Sequence, residues 1–286
     1  MLRMFALLAA LFITPIMAAE PVDLSTPNMV DWSGDEPEQV FVAGDLTMTL
    51  NVTGDESERI GTLKVEKPGA EPVELSGLGS GTGYGQVGVF PFDESGGRSV
   101  IFAVYAGGAH CCMQITAATE VGEGWVADDL GAVDGDTVRV EDLDGDGLYE
   151  MPQFDGRFNY TFDAYAFSFP PQLVLKSKDG VSYDDSANPK WRSFYETQLE
   201  EMRSDCSGET WNLGVCAGLL GVAARLGTYE DELALVKAAL SAGKRTSGWE
   251  EFTICADVEC ASTKDVSDFG EAIDLALRSW GYLPTR

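Results

Sequence analysis

The chain has 286 residues, 47 acidic against 19 basic, and a formal net charge of −28 at pH 7. A surface of that sign repels nucleic acid and anionic membrane, which excludes both as partners and favours solvated faces that attract cations. At 44% hydrophobic and 23% charged residues the chain can bury a core, which excludes a disordered protein.

Residues 1–19 are expected to be a secretory signal peptide. Met1-Leu2-Arg3 gives a basic start, a short apolar stretch follows, and small residues lead to the acidic Glu20, with cleavage expected after Ala19. The apolar stretch falls short of the roughly 20 residues a membrane helix needs, and no later stretch approaches that length. The expected address is therefore secreted or periplasmic. Behind an export signal, an even count of six cysteines favours disulfides over free thiols. Cys206, Cys216, Cys255 and Cys260 are expected to pair among themselves, which leaves Cys111 and Cys112.

From residue 20 to residue 187 short apolar runs are cut by glycine, aspartate, asparagine and proline. Leu46-Thr47-Met48-Thr49-Leu50 and Gly61 to Val65 alternate with period two, and Val100 to Tyr105 is a continuous apolar run. The expectation is an all-β domain, either a sandwich or a partial propeller-like meander. Near Asn188-Pro189 the pattern changes, because asparagine as N-cap before proline starts a helix. Trp191, Phe194, Tyr195, Leu199 and Met202 follow at helical spacing, then Trp211, Val215, Leu219, Val222 and Leu226 up to Gly227. Thr228 to Asp231 opens a third helix through Leu233, Val236 and Leu240, and Phe269, Ile273, Leu277 and Trp280 mark a last one. The second domain, residues 188–286, is expected to be a small helical bundle stapled by disulfides, so the fold class is α+β with segregated domains.

One stretch states its chemistry openly. In Asp142-Leu143-Asp144-Gly145-Asp146-Gly147-Leu148-Tyr149-Glu150 three aspartates alternate, a glycine follows, and a glutamate closes the run. Hard cations such as calcium take oxygen ligands in this rhythm. Asp142, Asp144 and Asp146 turn inward, Leu148 offers its carbonyl, and Glu150 completes the shell. Gly147 stands where the backbone turns sharply. Without a cation, four carboxylates in one loop repel one another. An EF-hand would need glutamate at position twelve, where the chain has Gln153, and flanking helices, where Val138 to Val140 reads as a strand.

The loop resembles the cation loops of FG-GAP (VCBS-like) repeats, in which three alternating acidic positions, a glycine and a fourth acid sit between strands. That resemblance implies calcium fixing a turn, often on a binding surface for a protein or glycan, and implies no catalysis. An earlier stretch matches it in degenerate form: Asp93 falls on Asp144, Ser95 on Asp146, Gly96 on Gly147 and Ser99 on Glu150, with Pro91 where Asp142 stands. This copy is expected to have lost the metal.

Gly107-Gly108-Ala109-His110-Cys111-Cys112 holds the chain's single histidine, which excludes a multi-histidine zinc site and leaves a hydrolase one candidate base. His110 with Cys111 and Cys112 forms a candidate redox or soft-metal site, against the plainer reading of a structural disulfide. The stretch is similar to one in uncharacterised secreted bacterial proteins, which implies no activity. Phe158, Tyr160, Phe162, Tyr165, Phe167 and Phe169 alternate as if on one strand face, as core or as a carbohydrate-stacking surface. No complete catalytic constellation is present. The leading expectation is therefore a secreted calcium-binding interaction module, with a thiol-dependent enzyme and a purely structural envelope protein as alternatives.

Overall fold

The computed structural model describes residues 20–55, 58–79, 83–107, 111–207, 211–243, 248–255 and 260–285, so the expected signal peptide and His110 lie outside the described residues. Alternating side chains build the first layer. β1 (Val22–Asp23), β3 (Glu38–Ala43), β4 (Leu46–Asp55), β5 (Glu58–Glu66) and β6 (Val73–Gly79) form one sheet in that order, while β2 (Val30–Ser33) joins the other. In β4, Leu46, Met48 and Leu50 turn inward and the threonines between them turn outward, as period two requires.

The second layer runs in the order β10-β9-β8-β7-β2, from β7 (Tyr84–Phe90), β8 (Ser99–Tyr105), β9 (Cys111–Val121) and β10 (Gly124–Asp134). Met48, Leu50, Leu63 and Val65 of the first sheet pack against Val87, Val100, Phe102 and Val104 of the second, which makes the β region a sandwich. The continuous apolar run of β8 has a separate cause. Val100, Phe102 and Val104 face the sandwich, while Ile101 and Ala103 face a second core on the outer side, with Met113, Ile115, Val138, Val140 and Met151. A strand buried on both faces loses its alternation. The lid over that outer face, Val138 to Met151, is the segment that carries the aspartate loop.

A third sheet follows, β11 (Met151–Phe154), β12 (Gln172–Lys178) and β13 (Val181–Asp184), and then α1 (Arg192–Ser207), α2 (Leu213–Leu226) and α3 (Tyr229–Ser241). Asn188 caps the turn before α1 by accepting from Lys190 N, as the Asn-Pro signal predicts. The C-terminal region also carries a hairpin, β14 (Phe252–Cys255) with β15 (Thr263–Val266), before α4 (Phe269–Ser279). Disulfides join Cys206 to Cys216, across the α1–α2 turn, and Cys255 to Cys260, so the four C-terminal cysteines do pair among themselves. Among the described residues no helix is long and apolar enough to cross a membrane.

The aromatic run departs from expectation. It is not a strand. Its residues form two single 3-10 turns, Gly156–Phe158 and Tyr165–Phe167, with Phe158 and Phe162 buried and Tyr160 57% exposed. Asp155 starts the first turn, accepting from Arg157 N and from the Arg157 guanidinium at 2.7 and 2.6 Å, and a side-chain acceptor of this kind diverts the backbone from extension. Farther along, the run lays its carbonyls in a groove of glycines on α2. A Cβ at Gly214 would sit 2.0 Å from the Phe167 carbonyl oxygen, and one at Gly218 1.8 Å from that of Phe169. Phe158, Phe162 and Val174 accordingly belong to the core of the helical region, with Trp191, Leu220 and Ile273.

Candidate metal centre

The aspartate loop stands where the outer β core and the helical core meet. Leu143 packs against the helical core, whereas Tyr149 packs into the β core with its ring 5.4 Å from Phe90. The mouth of the loop is closed by a backbone pair, Glu141 N to Glu150 O at 2.8 Å and Glu150 N to Glu141 O at 2.7 Å. Inside, Asp142 Oδ1 accepts from Gly145 N (2.7 Å) and Asp146 N (3.1 Å), and its Oδ2 accepts from Gly147 N (3.1 Å). Asp144 Oδ1 accepts from Asp146 N, and Asp146 Oδ1 from Leu148 N. These bonds curl the chain, and Gly145 (φ +75°) and Gly147 (φ +88°) take the left-handed conformations that the curl demands.

The curl gathers charge. One carboxylate oxygen from each of Asp142, Asp144 and Asp146 lies within 4.8 Å of the others. Glu150 is not part of that set. It lies 0% exposed, with Oε2 accepting from Leu143 N at 3.1 Å and Oε1 buried without a hydrogen-bond donor. Burial, with the Asp144 charge adding to it, raises the Glu150 carboxyl above its ordinary value despite the Leu143 N–H and the nearby Lys176. Glu150 Oε1 faces the Lys176 ammonium at 3.5 Å, beyond a direct hydrogen bond, and the three converging aspartate oxygens are the hard donors that fit a metal ion. Leu148 enters the loop through its N–H, given to Asp146.

Two lysines, which nothing in their local sequence marks, complete the electrostatics. Lys176 on β12 is buried, with Nζ 2.9 Å from Glu94 and 3.5 Å from Glu150. Lys190 places Nζ 2.8 Å from Asp144 Oδ2. Burial works against the charged form of Asp144, but the Lys190 hydrogen bond and charge outweigh it and hold the carboxyl below its usual range.

The degenerate copy lies beside this loop, joined to it by Tyr149 N donating to Pro91 O at 2.9 Å. Gly96 (φ +90°) turns as Gly147 does. Where the aspartate loop gathers oxygens, Asp93 is satisfied by protein donors: Ser95 N, Ser177 Oγ and Gly180 N, all at 2.7–2.8 Å. Ser99 is engaged with Thr119 at 2.8 Å.

The candidate thiol site is described only in part, since His110 and the side chain of Cys111 lie outside the described residues. Cys112 is disulfide-bonded, and no described cysteine is free. A thiol count on the denatured, unreduced protein is expected to return zero. One or two titrating thiols would restore a cysteine nucleophile to consideration.

No family model and no solved structure matches the chain. An uncharacterized protein of Sinorhizobium fredii is 32% identical over 193 residues, which cover 64% of this chain and 30% of that protein. A probable thylakoid lumen protein of Synechocystis is 34% identical over 109 residues, 37% of this chain and 32% of its own length. The chain thus spans about a third of the length of both relatives.

Proposed function

We propose that this is an exported calcium-binding protein, a binding module for a protein or glycan ligand with no catalysis of its own. Asp142, Asp144 and Asp146 would hold the ion, with the Leu148 carbonyl and Glu150 completing its shell. The observation that carries the reading is the convergence of three aspartate oxygens, within 4.8 Å of one another, in a loop curled by its own backbone N–H groups. The FG-GAP-like spacing of the loop agrees with it. Bound calcium would cancel the mutual repulsion of the carboxylates and fix a turn that bridges two cores. Export is supported by the disulfides and by the name of the Synechocystis relative, a probable thylakoid lumen protein.

Calcium titrated by calorimetry into the chelated protein is expected to fill one site. The melting temperature is expected to climb with calcium, since a ligand at a hundred times its Kd stabilises by about 2.7 kcal/mol. Asp144→Ala should abolish both effects. Heat-silent titration to millimolar calcium, with an unmoved melting temperature, would leave the aspartates as an acidic turn and nothing more.

A further inference from the structure

We infer that Lys190 is a tethered competitor for the loop's cation, so that loading the loop expels its ammonium into the neighbouring cleft. The inference rests on the reading of the loop as a cation site. Three observations fix Lys190 where it stands. Its backbone N–H is capped by Asn188 Oδ1 at 3.1 Å. Its Nζ lies 4.0 Å above the centroid of the Trp191 ring, which is buried and anchored by its indole N–H to Asp185 at 3.0 Å. The same Nζ reaches Asp144 Oδ2. Asp144 Oδ1 accepts from Asp146 N, whereas the ammonium holds Oδ2, the oxygen that takes no bond from within the loop. A divalent ion and an ammonium on one carboxylate oxygen repel each other strongly, so the two occupy Asp144 in turn.

The second lysine cannot play this part. Lys176 is buried between Glu94 and Glu150, whereas the Lys190 side chain is 29% exposed and gives up only the Asp144 oxygen and the face of the Trp191 ring when it leaves. Its way out is open. Asp144, Lys190 and Trp191 wall a cleft of about 580 Å³ between the loop and α1, across which Arg139 and Gln198 also face. The ion pair between Asp144 and Lys190 ties the loop to the start of α1. Cation binding would release that tie and turn a positive side chain toward the cleft.

The test compares calcium affinity by calorimetry in the full protein and in Lys190→Met, with Lys190→Gln as a second variant should the first fold poorly. Loss of the competitor is expected to tighten calcium binding on the order of fivefold. Lys178→Met removes the same charge from the end of β12 without touching Asp144, and is expected to change the affinity less than twofold. Calcium should also shift tryptophan emission in the wild type, as the ammonium leaves the Trp191 ring, and should not in Lys190→Met. Calcium binding by the wild type with unchanged or weaker binding in Lys190→Met overturns the competition. Binding by neither protein overturns the cation-loop reading itself.

Discussion

Gly218→Ala is expected to destabilise the protein by about 3 kcal/mol, a large effect for one added methyl group. The residue lies in α2, where every side chain from Leu213 to Ala223 is buried. On propensity alone alanine should improve a helix by up to about 1 kcal/mol. Against that, the new Cβ would stand 1.8 Å from the Phe169 carbonyl oxygen and 3.0 Å from its carbon, and neither is the end of a flexible side chain. The aromatic segment would have to lift from α2, and Phe158 and Phe162 would lift with it from the core they share with Trp191. Gly221→Ala is the internal comparison. There the nearest atom is the Phe158 ring at 2.8 Å, which can tilt, so the loss should be smaller. Urea denaturation measures both. A Gly218→Ala protein as stable as wild type would mean that the glycine groove does not hold the aromatic segment down.

That groove also marks the limit of what the sequence discloses. Apolar and polar alternation in Leu46 to Leu50 identifies a half-buried strand because the face of a strand repeats every two residues. Asn188-Pro189 identifies a helix start because capping is local. The aspartate loop is legible for the same reason: the N–H groups of Gly145, Asp146, Gly147 and Leu148 that curl it all find acceptors within the loop. The aromatic run misleads because its conformation is set at a distance, by glycines some 50 residues later on α2 that receive its carbonyls. The partners of the loop were hidden for that reason too. Lys176 and Lys190 reach the carboxylates only through the fold of the third sheet and the turn before α1. A local pattern gives the acidic residues of the loop; the lysines that face them are brought there by the tertiary fold.

Asp93→Ala is expected to cost about 3 kcal/mol at pH 7, because it removes the acceptor of three donors. Asp93 is fully buried. Ser95 N reaches its Oδ1 at 2.8 Å, while Ser177 Oγ (2.8 Å) and Gly180 N (2.7 Å) share its Oδ2. Ser177 and Gly180 are buried and are left without an acceptor, whereas Ser95 is exposed to water, and the β12–β13 turn has little room to compensate, since Gly180 at φ +80° is pressed close to Val126. Burial works against the charged carboxylate, but the Gly180 N–H, the Ser177 hydroxyl and the Ser95 N–H outweigh it and hold its pKa below the ordinary 3.8. The sign follows from linkage. A carboxyl whose folded pKa is depressed contributes stability above its unfolded pKa and loses it as pH falls through the folded one. The gap between wild type and Asp93→Ala in urea melts should therefore be full at neutral pH and narrow below about pH 4. The consequence reaches the aspartate loop, because Pro91 O, two residues before Asp93, holds Tyr149 N between Leu148 and Glu150. If the hydrogen-bonded loop braces its neighbour, Asp93→Ala must weaken calcium binding as well as folding. Wild-type calcium affinity in a destabilised Asp93→Ala protein would instead show two loops that share a fold and nothing more.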